Sequence, residues 1–364
     1  MTRPRADSYS IAVLPGDGIG HEVMGPAIEV VDLVAEHQGF SVDWTTYPWS
    51  CGFYHEHGVM MPDDGIDQLA DHDAIFLGAV GDPSLPDHLS LWGLLIPIRR
   101  AFQQYINLRP ALLLPGVVSP LRDTSRGIDI LVVRENSEGE YSEVGGRVFP
   151  GTPDEFAVQE AIFSRRGTER AIEYAVSLAQ KRQKRVVSAT KSNGIIHSMT
   201  FWDEVFHDVM ARHPEIEGRL MHVDALAARF VSHPHDLDVV VGSNLFGDIL
   251  TDIGAVIVGS MGMAPSANLN PTGEFPSMFE PVHGSAPDIA GQGIANPIGQ
   301  IWSAAMMLEH LGRPEAHDVI MTAIHHVLGE TDMRTPDLGG TATTTEVADA
   351  VRTAVRHALT VEAA

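Results

Sequence analysis

The chain contains one cysteine, Cys51, among 364 residues. A single thiol excludes an intrachain disulfide and fits a reducing compartment. Long apolar runs are also missing, since none nears the ~20 residues a membrane span needs. The first ten residues, MTRPRADSYS, hold no apolar stretch of signal-peptide type. The expectation is a cytoplasmic protein. Positive charge is scarce, with 24 Lys and Arg against 48 Asp and Glu, a formal charge of −24. Such a surface repels phosphate backbones and argues against nucleic acid as a partner. It also repels acidic substrates at long range, so an acid-binding site must gather its few arginines locally. Two nucleotide signatures are absent. LPGDGIGHEV (14–23) spaces its glycines as G-D-G-I-G rather than G-x-G-x-x-G, and it lacks the G-K-[ST] ending of a P-loop. It reads either as a tight strand-to-helix turn or as backbone approaching a ligand.

What the chain does have is a strand–helix rhythm. SIAVLP (10–15), DAIFLGAV (73–80), GIDILVVRE (127–135), RVVSAT (185–190), LMHVDA (220–225) and LDVVVGSN (237–244) read as strands. Helix-like segments alternate with them, among them 91–106, with a bend expected at Pro97. Such alternation indicates an α/β fold with a largely parallel sheet. Segment 136–165 breaks the rhythm with alternating residues around Gly145-Gly146, and reads as a β-hairpin arm suited to clasping a second subunit. Residues 262–300 are rich in Pro, Gly, Ser and Asn, read as having little regular structure, and are long enough to be functional.

Three arginines end elements. Arg99 and Arg109 bracket a helix end in RRAFQQYINLRP, and Arg134 ends a strand. Their planar forks match carboxylates. Tyr141 lies seven residues beyond Arg134, and an arginine at hand would depress its pKa and suit it to proton transfer. Lys191 follows a strand at its carboxyl end, where α/β proteins place their sites. Asp224, Asp248 and Asp252 stand at the boundaries of successive βα units. Asp248 and Asp252, in FGDILTD, are one helical turn apart and repel each other. An all-oxygen set suits Mg²⁺ or Mn²⁺. The spacing equally allows Asp248 as a helix N-cap with Asp252 exposed.

The ordered motifs LPGDGIG (14–20), RRAFQQYINLRP (99–110), VVRENSEGEY (132–141), TKSN (190–193), NLFGDILTD (244–252), FEPVHGSAPDIAGQGIANP (279–297) and PDLGG (336–340) resemble the β-decarboxylating dehydrogenases. That family includes isocitrate, 3-isopropylmalate, homoisocitrate and tartrate/D-malate dehydrogenases. The resemblance spans residues 9 to 345. It implies a two-lobed, non-Rossmann isopropylmalate/isocitrate dehydrogenase-like fold, with a shared long mixed sheet and a dimer-clasp arm. One lobe would be 1–104 plus 262–364, and the other 105–261 with the arm at 136–165. The homodimer would share its active sites. By motif position, Arg99, Arg109 and Arg134 resemble the substrate-carboxylate binders and Tyr141 the catalytic tyrosine. Lys191 and Asp224 resemble the pair lent by the second subunit. Asp248 and Asp252, with Asp224 from across the interface, resemble the metal ligands. Ile19 and the loop residues Glu280, His283, Gly284, Ser285, Ala286, Asp288, Ile289 and Asn296 resemble the dinucleotide site. Asp288 would accept hydrogen bonds from ribose hydroxyls and repel a 2′-phosphate, which implies NAD.

The segment before the first arginine, DHLSLWGLLIPI (87–98), has no Lys or Arg to meet a third carboxylate, so isocitrate is disfavoured. Leu94, Leu95 and Ile96 offer an apolar cavity of the kind 3-isopropylmalate needs, whereas Trp92 fills such a space. The expected reaction is NAD- and metal-dependent oxidative decarboxylation of a small 2-hydroxy diacid. The preferred substrate is (R)-malate, giving pyruvate and CO₂, with tartrate also used. The alternatives are a 3-isopropylmalate dehydrogenase and a non-catalytic organic-acid-binding homologue. His197, near the lysine motif, reads as a packing or surface histidine.

Overall fold

In the computed structural model, residues 5–362 are described. Residues 1–4 of the N-terminal stretch MTRPRADSYS, and 363–364 at the end of the expected first lobe, lie outside them. The chain divides into two compact units. One comprises 1–104, 113–122 and 255–364, and the other 105–112 and 123–254. The ten strands of the mixed sheet divide five and five between them.

In the first unit the strands are β1 (Ser8–Gly16), β2 (Ser41–Thr46), β3 (Ala74–Ala79), β11 (Pro265–Leu269) and β12 (Ser277–Pro281), in the order β2-β1-β3-β12-β11. Only the β11–β12 pair is antiparallel. Every residue of β3, β11 and β12 is buried. Strands covered on both faces do not alternate, and apart from the ion-paired Glu280 these runs are apolar or small. The helix Ile298–His310 lies in the core, with every residue but Glu309 buried. Its Gln300 donates its amide N–H to the Leu77 carbonyl at 3.0 Å.

In the second unit the order is β4 (Ile106–Leu112), β5 (Asp129–Glu135), β10 (Val239–Gly242), β8 (Arg185–Thr190) and β9 (Glu217–His222). Only β4–β5 is antiparallel. The remaining two strands, β6 (Gly145–Val148) and β7 (Phe156–Gln159), form an antiparallel ribbon within 136–165. Its Val144, Val148, Phe149, Phe156, Val158 and Ile162 are exposed in the single chain.

Three expectations change. Residues 262–300 are irregular over 270–276 and 282–297 as expected, but β11 and β12 also run through them, and their Ser and Asn side chains are buried with partners, such as Asn268 donating to Glu280 at 2.6 Å. The helix expected over 91–106 is shorter and interrupted. A π-helical turn spans Leu91–Leu95, an α-helix spans Ile96–Ala101, and β4 begins at Ile106. Pro97 cannot donate to Gly93, and Ile96 N–H instead reaches back five residues to the Leu91 carbonyl. Asp224 lies not at a strand end but in the first turn of the helix Val223–Ser232.

Candidate active site

A cluster of charge in the second unit forms where β4 and β5 meet the helix Asn244–Ile257. Arg134, buried on β5, donates from Nε and a terminal nitrogen to Asn244 Oδ1 at 3.0 and 2.7 Å, and from the other terminal nitrogen to Asp248 Oδ1. Tyr141 O–H donates to the other Asp248 oxygen at 3.0 Å, and the Arg134 guanidinium sits 5.6 Å from the Tyr141 ring centre. Arg109, on β4, lies 3.5 Å from Asp248 and 3.9 Å from Asp252, and donates to Thr251 Oγ1 at 2.8 Å. The structure thus brings Arg109, Arg134, Tyr141, Asp248 and Asp252 together.

The helix begins at Asn244, so Asp248 does not cap it. The repulsion between the two aspartates is met instead by the arginines. Burial and the Asp248 charge raise the Asp252 carboxyl, opposed by Arg109 and Arg134. Tyr141 reverses its expectation. Its pKa is raised rather than depressed, because burial and then Asp248 outweigh Arg134. Arg134 does pull the phenol down, but burial and the carboxylate to which it donates outweigh that pull.

Sequence reasoning missed two residues that hold this geometry. Glu140, next to Tyr141, accepts from Ser243 Oγ at 2.8 Å and Leu245 N–H at 3.1 Å. It caps the helix from another element and ties the tyrosine to the two aspartates. Gly247 lets the helix lie on β5, since a Cβ there would come within 2.6 Å of Arg134 Cβ. The only sequence signal for the cap was an acidic residue within the motif.

Lys191 and Asp224 form a separate pair. Lys191 follows β8, and its Nζ donates to Asp224 Oδ1 at 2.7 Å. That bond holds the exposed Asp224 carboxyl below its ordinary pKa. Among the described residues no three His, Cys, Asp or Glu side chains gather to hold a metal, so Asp224 does not join Asp248 and Asp252 within one chain. His197 is exposed just before the helix Ser198–Arg212.

In the first unit, Arg99 and Glu280 are buried together at 2.9 Å, and Asn268 donates to the same Glu280 oxygen. Nearby in sequence, Leu94 and Ile96 are buried, while Trp92 and Leu95 are half-buried. Trp92 carries the Arg100 guanidinium 5.1 Å from its ring centre.

The glycine turn proves to be backbone packed on backbone. Ile19 N–H donates to the Ser285 carbonyl at 2.9 Å, and a Cβ on Gly18 would lie 2.1 Å from that oxygen. Asp17, overlooked in the sequence, accepts from the N–H groups of Cys51, Gly52 and Gly81 at 3.0–3.1 Å. The Ile19 side chain packs with Val23, Ala295, Ala286, Ile289 and Ala290. The loop after β12 is further pinned by Glu22, also overlooked, which accepts from Gly291 and Gly293 N–H. Ala286 has φ +41°, a left-handed conformation unusual for a residue with a side chain. His283, whose pKa desolvation lowers, shares a 3.0 Å contact with the Gly284 carbonyl. Gly284 and Asp288 are exposed. Asn296 is buried, donating to Asp337 at 3.0 Å and accepting from Ile298 N–H at 3.0 Å. The loop is a prearranged, strained surface of backbone and small side chains, a form suited to a ligand that backbone must approach closely.

Comparison with known proteins gives consistent relatives. Residues 10–351 match the isocitrate/isopropylmalate dehydrogenase family model. A probable tartrate dehydrogenase/decarboxylase of Bacillus subtilis is 55% identical, over 96% of this chain and 98% of that protein. The decarboxylating D-malate dehydrogenase of Escherichia coli is 53% identical, over 94% and 97%. The tartrate dehydrogenase/decarboxylase of Pseudomonas putida is 51% identical, over 95% and 97%. Among solved structures, isocitrate dehydrogenase from Methylococcus capsulatus superposes with a TM-score of 0.86 at 33% identity, covering 96% of this chain and 99% of that one.

Proposed function

Because the chain belongs to the isocitrate/isopropylmalate dehydrogenase family, we propose that it catalyses NAD- and divalent-metal-dependent oxidative decarboxylation of (R)-malate to pyruvate and CO₂, and acts also on tartrate. The observation that carries this reading is the likeness, over nearly the whole chain, to decarboxylases named for tartrate and D-malate. Burial of Leu94 and Ile96 supports it further. With those side chains committed, the half-buried Trp92 and Leu95 suit a hydrogen or hydroxyl at C3 better than an isopropyl group.

Asp248 and Asp252 fit a hard divalent ion, being oxygen donors on one helix face, partly open to solvent and mutually repulsive. Asp224 of a second subunit would complete the set. Such an ion would supply Lewis-acid polarisation of the substrate's carboxylate and hydroxyl oxygens. NAD, which the loop 280–296 with Ile19 would hold and Asp288 would select over NADP, supplies the hydride acceptor.

The chain's own groups supply proton transfer and positioning. Lys191, directly or through water and Asp224, removes the C2 hydroxyl proton as hydride leaves C2. Arg99, Arg109 and Arg134 hold the substrate carboxylates, including the one lost as CO₂. Tyr141 then delivers its phenolic proton to the carbon that lost CO₂. Lys191 and Asp224 would serve the site of the partner in a homodimer. Lys191→Met is expected to abolish NADH formation while sparing decarboxylation of added oxaloacetate. Tyr141→Phe is expected to impair oxaloacetate decarboxylation the more. Equal, small effects of both changes would reject these roles.

A further inference from the structure

The second unit carries a cavity of about 320 Å³ whose lining includes none of the residues assigned to the candidate site. Strand register explains how it forms. β8 pairs with β9 so that Arg185 stands beside Glu217, Val187 beside Arg219 and Ala189 beside Met221. Alternate residues share a sheet face, so Arg185, Val187, Glu217, Arg219 and Met221 all line one side. Arg229 of the helix Val223–Ser232, with Asp236 and Leu237, lines the other. The floor is apolar, with Val187 and Leu237 buried and Met221 half-buried.

The charges on this wall do not balance. Arg219 is paired with Glu217, and Arg229 with Asp236. Arg185 donates one terminal nitrogen to the neutral Gln183 amide, and its Nε is buried with no hydrogen-bond partner. Among the described residues no carboxylate pairs with it. A guanidinium with an unused, desolvated donor beside an apolar floor favours an anion that supplies both a carboxylate and hydrocarbon.

We propose that this cavity is a second, non-catalytic binding site for a small monocarboxylate with an apolar body, anchored on Arg185. It is independent of the reaction assigned above. In a chain of charge −24, only a local cation of this kind would hold such an acid.

The test is isothermal titration of the full-length protein with hexanoate at constant ionic strength, with chloride and 1-hexanol as controls. One saturable site per chain is expected for hexanoate, with neither control binding comparably. Arg185→Gln should weaken hexanoate about tenfold or more and leave turnover unchanged. Arg219→Gln, whose charge is already compensated, should change affinity less than about threefold. Independently of any variant, the methyl NMR signal of Met221 should shift on titration of the wild-type protein. Absence of saturation below about 10 mM, equal binding of 1-hexanol, undiminished affinity in Arg185→Gln, or an unmoved Met221 signal would each overturn the proposal.

Discussion

Gly247→Ala isolates the contact on which the charged cluster depends. The added Cβ would stand 2.6 Å from Arg134 Cβ, 2.7 Å from its Cγ and 3.1 Å from its Cα. Unbonded carbons ordinarily sit about 3.5–4.0 Å apart, so the helix Asn244–Ile257 must retreat from β5 by about 1 Å. Overpacking of this kind costs about 1–3 kcal/mol, read as a fall in Tm of about 2–4 °C per kcal/mol for a domain this size. The same retreat carries Asp248 away from Arg134 and Tyr141. Misplacement by about 1 Å can cost up to 100-fold in kcat/KM. The assay is NADH formation from (R)-malate with Mn²⁺, alongside thermal melting. Gly25→Ala is the control. Gly25 is exposed within the helix Gly20–Gln38 and has no atom within 4 Å of its absent Cβ. Alanine there should stabilise by about 0.5–1 kcal/mol without altering turnover. A Gly247→Ala protein that melts and turns over as wild type would refute the reasoning. One that loses stability yet keeps full turnover would make the contact structural only.

Three further outcomes are expected. Glu140→Ala removes acceptors for both Ser243 Oγ and Leu245 N–H, so Mn²⁺ affinity measured by titration should fall about tenfold, with Glu140→Gln restoring part of it; unchanged affinity would deny a positioning role. Glu135 is buried and pushed up to about 7, chiefly by burial, against hydrogen bonds from Ser137 and Glu138. Its folded pKa exceeds its unfolded one, so its contribution to stability is full below pH 4.5 and is lost as pH rises through 7. Relative to Glu135→Gln, the wild type should therefore lose stability on the order of 3 kcal/mol between pH 4.5 and 8, and parallel denaturation curves across that range would contradict this. The Cys51 thiol is pushed up to about 12 by burial and by Asp17, so iodoacetamide should label it slowly at pH 8 in the native protein and quickly in urea; rapid native labelling would count against that environment.

The α/β class was legible because buried strands such as SIAVLP and LDVVVGSN are short apolar runs that lead into helix-like segments. β11 and β12 were hidden because Pro, Ser and Asn are poor strand formers, and their burial is justified only by partners distant in sequence. The π-helical turn before Arg99 was suggested by Pro97, but only as a bend. At the candidate site, element ends flagged Arg109, Arg134, Asp248 and Asp252, which the fold does bring together. Glu140 and Asp17 escaped notice because each acts on backbone N–H groups of another segment, and spacing along the chain does not encode that. The direction of the Tyr141 shift was misread for a related reason. Its arginine is near in sequence, whereas the burial and the Asp248 carboxylate that dominate are set by the fold.

The central claim concerns which acid this site oxidises and with which cofactor. The most direct measurement is kcat/KM for (R)-malate, both tartrates, 3-isopropylmalate, isocitrate and homoisocitrate, each with NAD and with NADP in the presence of Mn²⁺. The account predicts the highest value for (R)-malate with NAD, with one CO₂ released per NADH and lower but measurable turnover of tartrate. Preference for 3-isopropylmalate or isocitrate, preference for NADP, or no NADH from any acid would contradict it.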